Sequence, residues 1–314
     1  MTAAASDPLE LGLAAVDLKK PDDDDQRLWS ITTIISVLDK PALIYWSAEQ
    51  TAKAAVEHVD AWRAIQESSG TDEAVKWLAG ARFRTPKGKR TAAQLGTDVH
   101  ALCEEYALTG VRPDTDDETR PFLDQFDRWL DRAQPSFQAT EVVVYHPRFG
   151  YAGQADVFLT VDGWRANVDY KTSAKSFDKQ GKPTGPYPEV ALQLAAARWA
   201  EMAAVWRPRR FESFRRRYYA LSRAEIDMAV AVPEVDGSAC LHITPEHCEL
   251  YPVRTDEDVF ERFLFVLEAA RWVLQDAQTV LGDPVVFPER PPRALVPVPD
   301  LPMNGQNTAW KDEQ

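Results

Sequence analysis

The segment covering residues 153–172, GQADVFLTVDGWRANVDYKT, carries two aspartates and a lysine in a pattern that can do chemistry. Asp162-Gly163 is a strong signal for a two-residue hairpin turn, and it is flanked by Val, Phe, Leu and Trp. With Asp162 and Gly163 as the loop, Val161 pairs with Trp164, Asp156 falls opposite Asp169, and Gln154 falls opposite Lys171. Side chains alternate across a strand, so Asp169 and Lys171 share a face and Tyr170 turns away. Opposed residues have Cβ atoms about 4.5–5.5 Å apart. Two carboxylates at that separation repel, and a divalent cation between them reverses the sign of the interaction. Asp156 also sits in an apolar strand, where aspartate disfavours β structure. The plainer reading of Asp169 and Lys171 is a surface ion pair of little energetic worth.

The surrounding elements must position these groups. Residues 47–66 read as a helix, followed by helices near 73–79, 93–108 and 121–132. Glu141 opens a strand, EVVVY, and the hairpin comes next. Residues 173–188 hold Gly, Lys and Pro and read as a mobile loop. An apolar helix is expected over 189–205, strands over 214–221 and 239–253 with a turn at 245–247, and a helix from Thr255 to about Leu281 capped by Thr255 with Asp258. Helices, strands, a helix, strands and a final helix imply an α/β fold with a helical N-terminal part. The expected organisation is a disordered 1–28, one domain over 29–282 (a helical wall at 29–135 and a core at 136–282), and an extended tail at 283–314. Seven prolines between Pro284 and Pro302 account for that tail.

The chain has 314 residues, 45% apolar, with a net charge of −13. No run of about 18 apolar residues predicts a membrane span. The N-terminal residues lack the pattern of a signal peptide, so a cytosolic location is expected. Three scattered cysteines argue against a disulfide framework. The acidic total alone points away from nucleic acid, but the charge is segregated. Acid collects at 22–25 and 114–118, base at 82–90 and 207–217. The latter holds Arg207, Arg209, Arg210, Arg215, Arg216 and Arg217 among aromatic residues, which suits phosphate contacts with base stacking; a solvated charged face is the alternative. Tyr187 is a candidate for stacking on a base or for core packing.

Taken together, Gly96-Thr97-Asp98-Val99-His100, Glu141, Gly153-Gln154-Ala155-Asp156, Asp169-Tyr170-Lys171 and Gln193 resemble the motif series of the PD-(D/E)xK nuclease superfamily. The nearest branch is the RecB-type nuclease domain with its CRISPR-associated and phage-encoded exonuclease relatives. The resemblance spans about residues 30–205. It implies a restriction-endonuclease-like core, a mixed central sheet flanked by helices. It also implies that Asp156 and Asp169 bind Mg²⁺ or Mn²⁺, that His100 and the Tyr170 carbonyl complete the shell, and that Lys171 sits beside the attacking water. Oxygen ligands with one imidazole suit either ion. Glu141 is the usual first-strand acid, or else plain surface. Gln193 would contact DNA or the active-site backbone, or be a satisfied core glutamine. His100, in turn, has an ordinary hydrogen-bonding role as its alternative.

The chain departs from the family in two places. Ala197 stands where relatives often carry a tyrosine, and the cysteine pattern does not suit a four-thiolate iron–sulfur cluster. The implied activity is a metal-dependent DNA exonuclease of phage or bacterial recombination and repair, with DNA as its partner and a single-strand-annealing or recombination protein as a further one. A structure-specific endonuclease is a close variant. A non-catalytic DNA-binding module on the same fold is the reading from another class. A glycosidase with paired carboxylates leaves Lys171 unexplained.

Overall fold

A computed structural model describes residues 26–81, 89–204, 209–213 and 216–286. The strands are β1 (Gln26–Ser30), β2 (Ser136–His146), β3 (Tyr151–Val161), β4 (Trp164–Thr172), β5 (Met202–Ala203), β6 (Arg209–Ser213), β7 (Arg216–Leu221), β8 (Val230–Ala231), β9 (Gly237–Ile243) and β10 (Cys248–Val253). They form one mixed sheet whose main path runs β10-β9-β4-β3-β1-β7-β6, with β2 also on β3 and β5 joining β2 to β8. The β1–β3 and β4–β9 pairs are parallel and the others antiparallel. The hairpin turn is as expected: Val161 pairs with Trp164, and Asp162 and Gly163 take φ of 48° and 79°. Positive φ at both positions lets a two-residue loop follow the twist of the strands.

Helices cover both faces. On one, α5 (Ala92–Thr109) and α6 (Arg120–Ala133) pack Val99, Cys103, Phe122 and Phe126 against Val157, Leu159, Val168 and Tyr170. On the other lie α1 (Ile31–Ile35), α7 (Val190–Arg198) and α9 (Glu257–Leu274), with Phe263 and Leu267 beside Ile34, Tyr151 and Ala195. The N-terminal part also holds α2 (Pro41–Glu57), α3 (Val59–Ser69) and α4 (Thr71–Ala79). A short α8 (Arg223–Met228), opened by a Ser222–Glu225 capping box, follows β7. The fold is thus α/β, a mixed sheet flanked by helices with a helical N-terminal part. None of the described helices is long and apolar enough to cross a membrane.

Several sequence expectations are corrected. The segment expected to be disordered to residue 28 ends in β1, where Leu28 is fully buried. The helix expected over 47–66 breaks at His58, whose φ and ψ of −127° and 41° are not helical. Strand β2 begins at Ser136, so Glu141 lies in its middle. The apolar stretch 189–205 is helical only to Arg198, and Met202 and Ala203 then pair with Tyr145 and Val144. A segment apolar on every side carries no periodicity to mark that change. Thr255 does not cap α9. Asp256 does, accepting from the Val259 N–H at 3.2 Å, while the buried Thr255 hydroxyl meets Ser238 and Arg198. The loop 173–188 is internally bonded: Asp178 N–H donates to the Lys182 carbonyl, Asp178 Oδ1 accepts from the Gln180 and Lys182 N–H groups, and Thr184 donates to the Lys175 carbonyl.

Candidate active site

The site lies where the sheet splits. Strand β3 pairs with β1 only through Tyr151 and Ala152, and with β4 only from Val157 onward. Residues 153–156 therefore face an opening between β1 and β4. The expected register holds for the hairpin proper, but the ladder ends at Val157–Val168, one residue short of the acids. Asp156 and Asp169 are not a ladder pair, nor are Gln154 and Lys171. The Tyr170 N–H, without a β3 carbonyl to meet, donates instead to Asp156 Oδ2 at 2.7 Å. The acidic side chain thus satisfies a backbone donor that the opening would leave unpaired. Both acids still line one cavity of about 440 Å³, together with His100, Glu104, Glu141 and Lys171.

Strand alternation turns Asp169 and Lys171 toward α7 and Tyr170 into the core beneath α5, as expected. Gln193 of α7 links both polar residues. Its Nε2 donates to Asp169 Oδ1 at 2.6 Å, and its Oε1 accepts from Lys171 Nζ at 3.5 Å. Gln193 is therefore engaged inside the site, so its first role is to position these two groups rather than to reach DNA. Helix α7 is itself fixed from behind. Asn167 Nδ2 donates to the Leu194 carbonyl, Ser238 donates to Asn167, and Thr255 joins Ser238 to Arg198.

Burial sets the electrostatics. Asp169 is 3% exposed. Burial raises its pKa to about 6, the Lys171 ammonium opposes the rise, and Asp156 adds to it. Asp169 Oδ2 makes a close, charge-assisted contact with the Lys171 ammonium. Burial likewise raises Asp156, against the pull of Lys171 and the Tyr170 N–H. Burial would lower Lys171, yet Asp169 and Asp156 outweigh it and hold the ammonium above its ordinary value. Burial takes His100 down to about 4, although Asp169 opposes this. His100 is therefore neutral at pH 7, and its 3.7 Å approach to Asp156 is a contact of neutral imidazole with an acid rather than an ion pair.

The two motif glycines have steric reasons. A Cβ on Gly153 would stand 2.3 Å from Ile31 Cδ1, so only glycine lets α1 seat beside the opening. A Cβ on Gly96 would stand 2.9 Å from Thr172 Oγ1, so glycine lets α5 approach the end of β4. One turn later, His100 reaches the opening from the face opposite Gln193. The opening thus lets side chains from both faces of the sheet meet. Glu104, a further turn along α5, lines the same cavity. Sequence reasoning missed it, although its place four residues after His100 puts it on the same helix face.

Glu141 adopts φ of 52° in the middle of β2, between the Thr140–Val157 and Val142–Ala155 pairs. Its carboxylate accepts from Gln154 Nε2. Left-handed backbone costs a non-glycine residue about 1–2 kcal/mol. Such strain marks functional sites. Glu141→Gly is expected to unfold within about 0.5 kcal/mol of the parent, while the β-branched Glu141→Val loses about 1–2 kcal/mol, in urea titrations.

Asp156, Asp169, Glu141 and Glu104 offer oxygens, and His100 a neutral nitrogen, a donor set suited in kind to Mg²⁺ or Mn²⁺. Among the described residues, no three His, Cys, Asp or Glu side chains are already grouped to hold an ion. Lys171 instead supplies the countercharge on Asp169. A cation reaching the buried Asp169 Oδ2 would share that oxygen with the Lys171 ammonium.

Other expected site residues lie apart from this cavity. Tyr187 is 74% exposed and lines a neighbouring cleft. The backbones of Arg209 and Arg210 are in β6, and those of Arg216 and Arg217 in β7, at the far end of the sheet path. Arg207 and Arg215 lie outside the described residues. Cys103, Cys240 and Cys248 are buried free thiols. Compared with protein-family models and with curated proteins, the chain matches none.

Proposed function

We propose that this chain is a divalent-metal-dependent deoxyribonuclease of the PD-(D/E)xK type, acting as an exonuclease in DNA recombination or repair. The observation that carries the reading is the set Asp156, Asp169, Lys171 and Gln193 around one cavity at the parting of β3 and β4, with the last two fixing the orientation of Asp169. Asp156 also satisfies the Tyr170 N–H, whereas ionisation of the buried Asp169 weakens the fold, which supports a chemical role for Asp169.

Asp156 and Asp169, with His100 and the Tyr170 carbonyl, would hold the cation. When bound, it would make hydroxide available near neutral pH and neutralise charge on the scissile phosphate. His100 contributes the unprotonated imidazole, the form able to ligate. Lys171, 39% exposed at its side chain, carries a positive charge that can meet the negative charge growing on the phosphoryl oxygens. Gln193 keeps that ammonium and Asp169 in register during the reaction. Glu141 and Glu104 stand where they can support the outer shell or a second ion.

The test is digestion of 5′- and 3′-labelled single- and double-stranded DNA by purified protein. With Mg²⁺ or Mn²⁺, a ladder of shortened products is expected, and none with EDTA. DNA that is bound but left intact under every metal condition would instead favour a non-catalytic binding module.

A further inference from the structure

Next to the acidic cavity, and sharing Lys171 and Gln193 with it, is a second and larger cleft of about 1020 Å³. It is walled by the start of α5 on one side and by the bonded loop 173–189 on another. Its lysines are Lys40, Lys171, Lys175 and Lys182. Among the described residues its acids are Asp178 and Glu189. Glu189 pairs with Lys40 at 3.6 Å, and Asp178 accepts from backbone N–H groups. Among the described residues, four lysines against two acids give the lining a positive balance in a chain of net charge −13. Tyr187 stands on its wall with 74% of its surface free.

We infer that this cleft is a track for one single strand of nucleic acid, which threads past Tyr187, Lys175 and Lys182 to present its backbone to Lys171. The inference rests on the nuclease reading for its direction, toward the acids, but not for its chemistry. A positively charged groove with an exposed aromatic ring is the arrangement that binds single strands with little sequence preference. The cleft lies at the upper end of sizes that enclose a small organic ligand, so it admits a few nucleotides. That volume suits one strand better than the larger cross-section of a duplex. Lys175 and Lys182 supply the phosphate contacts and Tyr187 a stacking surface. Hydrogen bonds within the loop, from Thr184 to the Lys175 carbonyl and from Asp178 N–H to the Lys182 carbonyl, fix the backbone from which the two lysines project.

The test uses full-length Asp169→Asn protein in EDTA, with fluorescein-labelled dT12, rU12 and a blunt duplex of the same length, read by anisotropy at rising salt. The parent is expected to bind a single strand at least tenfold more tightly than the duplex; the dT12 and rU12 arms tell which sugar is preferred. Adding Lys175→Glu and Lys182→Glu should weaken single-strand binding at least tenfold and reduce the salt slope by about 1.4, from about 0.7 per phosphate contact. Tyr187→Ala should weaken it about tenfold, with Tyr187→Phe restoring it. These positions are on the surface, and thermal melting checks that the variants fold. Binding of single strands by the double-lysine variant within twofold of the parent, or preference for the duplex, overturns the inference. The two readings fail separately. Wild-type protein that cleaves while groove variants bind and cleave single strands normally removes the track and keeps the nuclease. Loss of single-strand binding in the groove variants, with wild-type protein that never cleaves, does the reverse.

Discussion

Replacing Lys171 by alanine is expected to slow DNA cleavage about 10²–10³-fold while leaving affinity for the oligonucleotide within about tenfold. Among the described residues the ammonium is the one cation lining the acidic cavity, and it meets both Asp169 and Gln193. Its loss removes charge stabilisation that matters most in the transition state, so kcat falls and KM moves little. In the proposed mode of binding, Lys175 and Lys182 keep their contacts with the backbone. Arginine in place of Lys171 should not restore activity, because its planar fork cannot sit at the point that a compact ammonium occupies. Single-turnover digestion with Mg²⁺, alongside binding in EDTA, measures both quantities. Lys171→Ala protein that cleaves at the parental rate would remove Lys171 from the mechanism and, with it, the chief reason to read Asp169 and Lys171 as a unit.

Asp169→Asn should abolish cleavage and yet raise stability. Asp169 is buried, and its folded pKa of about 6 lies above the ordinary carboxylate value near 4. The sign of the linkage follows. Between those values the folded chain keeps a proton that the unfolded chain has released. Stability therefore falls as pH rises from about 4 to about 6 and stays reduced above it. A neutral asparagine avoids ionisation in the buried site and can still accept from Gln193. The expected gain at pH 7.5 without metal is about 1–3 kcal/mol, shrinking toward zero as pH falls to about 4. In a domain of this size that corresponds to several degrees in Tm. Mg²⁺ should raise the Tm of the wild type, because ligands bound to the folded state stabilise it, and should raise that of Asp169→Asn little. Calorimetry at pH 4.5, 6 and 7.5, with and without Mg²⁺, tests each part. A variant less stable than wild type at pH 7.5 would mean that Asp169 supports the fold rather than a reaction.

Much of the scaffold could be read from local pattern. The Asp162-Gly163 turn specified the hairpin and its register because both positions need positive φ. The α/β class, α4 to α6 and the β9–β10 turn followed from periodicity and turn residues. Where local pattern was uninformative, the reading failed. The uniformly apolar 189–205 hid the end of α7, and Thr255 looked like a cap although its hydroxyl belongs to a buried network formed with Ser238 and Arg198. The conformation of Glu141 and the membership of Glu104 were equally invisible, since they depend on what β3 and α5 meet across the sheet.

The order of residues by itself determined which groups are available and that Asp169 and Lys171 lie on one side of their strand with Tyr170 on the other. Turn chemistry and the two-residue period of a strand are local properties, and twenty residues suffice to fix them. Only the tertiary structure decided that β4 leaves β3 just before the acids meet, that Asp156 takes up the freed Tyr170 N–H, and that α5 and α7 approach the opening from opposite faces. Those outcomes come from contacts between segments far apart in the chain, where Gly96 and Gly153 permit a close approach that any larger residue would prevent.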